Sequence, residues 1–127
     1  GWIAPRFDEA LLEPICMGGI VRYNHDGQSL ILFSNPHNLD KEKGKAEPGK
    51  NRDRKNVSVK ISRDEGQTWP GNKTIEPGPS MYSDIAVTQS GTILCFYGRG
   101  TKPGFAGAGL TLARFNLEWL TDGKGLP

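Results

Sequence analysis

Polar side chains that could take part in catalysis are concentrated in one eight-residue stretch of the chain. Its sequence is Ser62-Arg63-Asp64-Glu65-Gly66-Gln67-Thr68-Trp69. The spacing favours a structural role, because an Asp side chain can accept hydrogen bonds from backbone amides nearby and Gly66 can adopt a positive φ. Thr68 can bond to the same turn, and Trp69 can cover it with a large apolar plate. We therefore interpret Asp64 as part of a self-locked β-turn and not as a catalytic group.

An arginine and a tyrosine lie on either side of this turn, and both side chains are chemically capable. Arg54 precedes the turn, and a guanidinium presents a planar donor fork that binds a carboxylate bidentately, which lysine cannot do. Arg52 offers the same fork two residues earlier. Tyr82 begins an apolar run, where a tyrosine is ordinarily a core residue with a hydrogen-bonded hydroxyl. An arginine in a charged loop is ordinarily solvated. Residue type alone therefore does not decide whether Arg54 and Tyr82 have a functional role or an ordinary structural one.

Short strands separated by turn sequences account for most of the chain. Residues 57–62 alternate valine or isoleucine with serine or lysine, which is the period of a half-buried strand. Seventeen glycines and nine prolines supply the turns between strands. The expected strands span residues 19–23, 29–34, 57–62, 72–75, 82–88, 92–97 and 110–116, with one helical turn at 117–120. No segment has a sustained amphipathic helical pattern, so the sequence predicts an all-β fold.

A long polar segment over residues 35–55 interrupts these strands. Lysines and arginines are mixed there with Asp40, Glu42, Glu47 and Asp53. Mixed charge of this kind is typical of a solvated loop. A loop of this length within a compact domain is nevertheless often functional.

Composition excludes several classes of protein. The chain has 127 residues, the size of one ordinary domain, and its net charge of +2 is too small to indicate nucleic acid as a partner. No apolar run approaches the roughly 20 residues that a membrane span needs. The first residues lack the features of a signal peptide.

The two cysteines, Cys16 and Cys95, lack the spacing of metal ligands. Cys95 lies in an apolar run, which predicts a small buried hydrophobic residue. A Cys16–Cys95 bridge is possible.

Several sequence blocks occur in an order that is typical of one family. The blocks are residues 32–36, 54–62, the turn at 62–69 into which that block runs, 76–84, 91–97 and 113–120. The turn matches the Asp box, a structural repeat of neuraminidases, in Ser62, Asp64, Gly66, Thr68 and Trp69. With the other blocks, the chain resembles the C-terminal portion of bacterial-type exo-sialidases.

The resemblance implies a six-bladed β-propeller built from antiparallel four-stranded blades. Comparable blade repeats run to ~40–50 residues, so residues 1–127 would supply two to three blades. A closed ring needs at least about four. We therefore expect a partial propeller whose remaining blades come from the same parent polypeptide or from a second chain. The family also implies a secreted or periplasmic location, a sialylated glycan as substrate and no cofactor.

For the site, the resemblance places Tyr82 at the position of the family's nucleophile and Arg54 at the last position of an arginine triad that binds the substrate carboxylate. Sialic acid carries its carboxylate on the anomeric carbon, so an anionic nucleophile would be repelled. A neutral phenol avoids that repulsion, and sialidases are a known exception to the use of two carboxylates. A glutamate must accept the phenol proton, because the pKa of an unperturbed tyrosine is near ~10.

The chain departs from the family pattern in two respects. No motif in it matches the family's acid/base aspartate, the glutamate partner of the tyrosine or the other two arginines, and the surroundings of Glu13 do not fit that glutamate. The family also usually has a glutamate after the strand that follows the nucleophile, where this chain has Gly98. Three functions therefore stay open: part of a retaining exo-α-sialidase, a propeller that binds glycan without hydrolysis, and a purely architectural propeller.

Overall fold

Six antiparallel strands form one continuous sheet in which neighbours in sequence are neighbours in space. A computed structural model describes residues 1–42, 52–101 and 109–124. The strands are Gly19–His25 (β1), Gln28–Pro36 (β2), Lys55–Ser62 (β3), Gly71–Val87 (β4), Ile93–Arg99 (β5) and Gly109–Phe115 (β6), followed by the short helix Leu117–Leu120 (α1). The all-β, antiparallel class expected from the sequence is confirmed.

Strand β4 links the two halves of the sheet. The sequence predicts two short strands, 72–75 and 82–88, but the structure has a single strand of 17 residues. Its first half pairs with β3 and its second half with β5, and register shifts occur in both ladders. Pro77 and Pro79 lie where the strand passes from one partner to the other, and Gly78 has a φ of 89° there. Residues without an N–H donor, or with unusual φ, are tolerated at such irregular points, so the strand bends without ending.

The sheet divides into two consecutive blade-like units of a partial propeller. Strands β1, β2, β3 and the first half of β4 form a four-stranded antiparallel meander. The second half of β4 continues into β5 and β6, which form a three-stranded unit. Because the same strand is the last of one unit and the first of the next, the two units curl around a shared interior.

The hydrophobic core lies between these two units. Leu32 and Val59 from the first unit and Ile93 and Cys95 from the second are all fully buried. Cys95 is the small buried hydrophobe that the sequence predicts, while Cys16 and Cys95 are both free thiols, so the possible bridge is not formed. The core fixes how the second half of β4, which carries Tyr82, lies against the first unit.

The polar segment that follows β2 begins later than expected. β2 extends to Pro36, and Asn35, predicted as the first loop residue, is fully buried within that strand. β3 begins at Lys55, which was predicted as the last loop residue, so the strand starts two residues earlier than expected. The central part of the predicted loop, residues 43–51, lies outside the described residues.

The turn at 62–69 is locked by its own side chains. Both the Thr68 N–H and the Ser62 hydroxyl donate to Asp64 Oδ1 over 2.8 Å, and the Thr68 hydroxyl donates to Oδ2 over 2.6 Å. The Gly66 N–H donates to Ser62 Oγ over 2.8 Å, and Gly66 has a φ of 82°. The bonds that Asp64 accepts, those from Thr68 foremost, lower the pKa of its carboxyl group to about 2. Asp64 is therefore a fixed acceptor for the turn.

Strand β3 is more buried than its alternating sequence predicts. Its polar residues Ser58, Lys60 and Ser62 are shielded as fully as its apolar ones. Ser58 is hydrogen-bonded to Thr74 in β4 and Lys60 donates to Asn35 in β2, so both neighbouring strands supply partners for these groups. Burial of polar side chains is tolerated where partners of this kind exist.

Two classes of feature are missing from the part of the chain that the structure describes. No helix in residues 1–42, 52–101 and 109–124 is long and apolar enough to cross a membrane. The same residues contain no group of three or more His, Cys, Asp or Glu side chains that could hold a metal ion.

Candidate functional site

Arg54 and Tyr82, which are distant in sequence, are in direct contact. The Arg54 guanidinium carbon lies 4.9 Å from the centroid of the Tyr82 ring, which is a cation–π arrangement. The tyrosine is 48% exposed, so its ring is accessible beside a fixed positive charge. Two side chains that the resemblance singles out are thus adjacent at one surface.

The backbone around Arg54 is fixed by β4 and by an N-terminal segment. The Arg54 carbonyl accepts the Ser80 N–H over 3.2 Å, which ties the start of β3 to β4. Arg54 Nη2 donates to the Ile15 carbonyl over 2.7 Å. A guanidinium has five N–H donors, and this is the one hydrogen bond of its side chain to the described residues.

Tyr82 is aimed away from the core by an irregularity in β4. The β4–β5 register shifts between Ser80 and Ser83, and such shifts re-aim side chains and are frequent beside active sites. Ser83 faces the interior, where its hydroxyl donates to Ser34 over 3.0 Å. Its backbone N–H donates to the Met17 carbonyl over 3.3 Å. The bonds of Ser83 therefore fix the backbone next to Tyr82, while the Tyr82 ring lies on the face of β4 opposite to Ser83.

A largely apolar cavity of about 410 Å³ opens next to the Tyr82 ring. Its size is within the usual range for a small-molecule site. Asp84 is the one charged residue that lines it among the described residues. The lining residues are Met17, Met81, Tyr82, Ser83, Asp84, Phe96, Tyr97, Gly98, Gly109 and Leu110.

Met81 fills the space beside Gly98 in this cavity. A Cβ atom added at Gly98 would lie 2.8 Å from Met81 Cγ, which is closer than real Cβ contacts. Met81 is itself 6% exposed and packed into this place. The glycine and the methionine therefore form a complementary pair, and a larger residue at position 98 requires Met81 to move.

The other polar residues considered from the sequence take no part in the Arg54–Tyr82 contact. Asp64 follows the far end of β3, an eight-residue strand that spans roughly 26 Å at the usual rise per residue. Glu13 accepts the Cys16 backbone N–H through its carboxylate, so it serves a local turn. Arg52 lies in the segment before β3, and it is Arg54 that stacks on Tyr82.

Residues 12–17 contribute to the site in a way that the sequence did not indicate. Ile15 has a φ of 58°, which is unusual for a β-branched residue, and its carbonyl accepts the bond from Arg54. Cys16 lies beneath the site, and burial raises the pKa of its thiol to about 11 despite the opposing effect of Arg54. A thiol with such a pKa is a poor nucleophile at neutral pH. The type of residue gave no signal for this backbone role.

Lys60, in β3, is a buried basic residue. It is 1% exposed, and burial lowers its pKa to about 8 from 10.5. His37 lies close enough that Lys60, after burial, contributes to lowering the pKa of His37. Because the pKa of Lys60 in the folded protein is below its unfolded value, the unfolded chain binds more protons between these values, and stability rises with pH there.

Comparison with Lys60→Met in the full-length protein should reveal the cost of burying the charged Lys60 side chain. The difference between the two pKa values corresponds to up to roughly 3 kcal/mol. As the pH is raised from 8 to 10.5, the free energy of unfolding of the wild type should increase by up to that amount more than the free energy of unfolding of Lys60→Met. Denaturant unfolding at several pH values measures it. Cys16, Cys95 and Tyr97 are common to both proteins, so their titrations cancel, and a constant difference would contradict the expectation.

The chain resembles sialidases in both sequence and structure. No protein-family model matches the chain. A sialidase from Micromonospora viridifaciens is 38% identical over 63 residues, which are 50% of this chain and 9% of that protein. The solved structure of the Hadza microbial sialidase Hz136 matches with a TM-score of 0.62 and 26% identity, over 84% of this chain and 18% of that one. The chain spans less than a fifth of either relative. The chain is therefore similar to part of a sialidase, in sequence over half of its length and in fold over most of it.

Proposed function

We propose that this chain is part of an exo-α-sialidase that hydrolyses terminal sialic acid with retention of configuration, with Tyr82 as nucleophile and Arg54 as a ligand of the substrate carboxylate. The observation that carries the proposal is the contact of the Arg54 guanidinium with the half-exposed Tyr82 ring. The apolar cavity beside that ring supports it, because it offers room for a sugar next to the phenol. The 62–69 turn serves as a structural Asp box.

The chemistry of sialic acid explains why this pair suits it. Arg54 can bind the carboxylate on the anomeric carbon with two parallel N–H donors. Tyr82 can then approach the same carbon as a neutral phenol that loses its proton on attack. The base that accepts this proton, the acid that protonates the leaving group and further arginines are expected from the other blades of the parent protein. A secreted or periplasmic location, where sialylated glycans are met, accompanies this proposal.

The test is turnover of an α-sialoside by the full-length protein that contains this chain. A fluorogenic sialoside gives the rate, and proton NMR of the first product gives its configuration. We expect the α-anomer to form first and to convert afterwards to the equilibrium mixture. The β-anomer as first product would contradict a covalent tyrosine intermediate, and no release of sialic acid would refute the enzymatic proposal.

A second function, glycan binding without hydrolysis, is favoured by the Gly98–Met81 pair. The family position that carries a glutamate is glycine here, and Met81 occupies the adjacent space. An arginine expected from another blade would thus lack its orienting carboxylate. Isothermal titration with sialyllactose separates the two functions, because saturable binding without released sialic acid supports the binding function and turnover excludes it.

A further inference from the structure

Residues 12–17, which we call the strap, connect the two blade-like units at the candidate site. Three of its backbone carbonyls accept hydrogen bonds, each from a different part of the fold. Leu12 accepts from the Asn35 side chain in β2 over 2.7 Å, and Ile15 accepts from Arg54 over 2.7 Å. Met17 accepts from the backbone of Ser83, the residue after Tyr82, over 3.3 Å. The strap therefore contacts both residues of the candidate pair or their immediate neighbours.

The contact with Asn35 is the one that anchors the strap to the sheet interior. Asn35 is fully buried, and its side-chain oxygen accepts a hydrogen bond from Lys60, which is also buried. A lysine ammonium can only donate, so the oxygen of the amide must face Lys60. The amide nitrogen is then directed at the Leu12 carbonyl. Lys60 thus fixes the orientation of Asn35, and that orientation fixes the position of the strap.

The backbone of Ile15 indicates that the strap is held in a strained form. A β-branched residue rarely adopts a φ of 58° and does so where surrounding contacts enforce it. In this conformation its carbonyl points at the Arg54 guanidinium. If the anchor at Leu12 were released, the backbone could relax toward a common φ and the carbonyl would turn away from Arg54.

We infer that Asn35, oriented by Lys60, is a positioning residue that holds the Arg54 guanidinium over Tyr82 through the strap. The inference rests on the proposed function in so far as this pair binds a sialoside. It assigns a role to a buried lysine and a buried asparagine that do not themselves contact the substrate. Their effect is expected on binding of the substrate carboxylate more than on the chemical step.

Asn35→Ala in the full-length protein tests the inference. Loss of a buried hydrogen bond of this kind corresponds to roughly a 5- to 100-fold effect. We expect KM for a sialoside to rise at least about fivefold, with a smaller change in kcat. Because Asn35 acts through Arg54, adding Asn35→Ala to Arg54→Ala should cause little further loss. Full additivity of the two effects would overturn the inference.

Two further variants serve as controls for a general effect on folding. Asn35→Ala leaves the Lys60 ammonium buried without its acceptor, so Asn35→Ala/Lys60→Met removes both polar partners and restores a neutral interior. The double variant should fold and should show the same rise in KM. Asn116→Ala is the matched control, because it also removes one side-chain hydrogen bond to backbone, over 2.8 Å at the start of α1. It should leave KM unchanged, and a rise in KM equal to that of Asn35→Ala would overturn the inference.

Labelling of Cys16 gives a readout that needs no enzymatic activity. Cys16 is in the strap and 8% exposed, whereas Cys95 is fully buried in the core and serves as the internal reference. Release of the strap should raise the rate of Cys16 modification by a thiol reagent at least about fivefold in Asn35→Ala, with Cys95 unchanged. Peptide mass spectrometry distinguishes the two thiols. Equal rates of Cys16 labelling in Asn35→Ala and wild type would overturn the inference. If labelling is faster in Asn35→Ala but the wild-type protein never releases sialic acid, the proposed function alone is refuted.

Discussion

Replacing Tyr82 by phenylalanine is expected to lower kcat/KM of the full-length protein on an α-sialoside by roughly 10³-fold or more. The substitution keeps the ring that lies under Arg54 and removes only the oxygen that would attack the anomeric carbon. Binding should therefore change little while the chemical step is lost. Steady-state kinetics give the rate, and titration with a non-hydrolysed sialoside analogue gives the affinity.

Tyr23→Phe is the matched control for this experiment. Tyr23 is a tyrosine of β1 that is 4% exposed and belongs to the hydrophobic core, so the same loss of a hydroxyl occurs away from the site. It should keep near wild-type turnover. A protein whose rate is unaffected by Tyr82→Phe would refute the assignment of the nucleophile, and equal losses in both variants would point to a structural effect.

Replacing Arg54 by lysine is expected to raise KM by roughly 10- to 100-fold, the usual effect of losing a hydrogen bond to a charged group. Lysine keeps the positive charge but not the planar fork that binds a carboxylate bidentately. It also loses the bond that Nη2 donates to the Ile15 carbonyl. The loss should be smaller for a substrate analogue that lacks the carboxylate, which separates carboxylate binding from general damage to the site.

Arg52→Lys provides the comparison that the sequence itself suggests. The two arginines lie two residues apart in one charged segment, and from the sequence each could have been the ligand. The structure shows Arg54 stacked on Tyr82. We therefore expect Arg52→Lys to leave KM within about twofold of wild type, since the substitution leaves the Arg54–Tyr82 contact intact. A large rise in KM for Arg52→Lys, with none for Arg54→Lys, would reverse the assignment.

The strands and the locked turn could be predicted from the sequence because they depend on local interactions. Alternation of side chains identifies β3, and the residue types of the 62–69 turn specify its hydrogen bonds, which form within seven residues of each other. The break predicted within β4 was wrong for a related reason. Prolines and a glycine normally end a strand, but here two different ladders receive the two halves of one strand, which only the packing of two units allows.

For the site, the sequence by itself determined which residue types were available, Arg54 and Tyr82, and through the order of its blocks the family that it resembles. Only the tertiary structure decided that these two side chains touch, that Met81 fills the space beside Gly98, and that the strap is anchored by Asn35 and Lys60. The hydrogen bonds of the 62–69 turn are determined by residues that are close in sequence. The position of a guanidinium depends instead on backbone carbonyls and buried partners from distant segments, and no local pattern records which of them will meet.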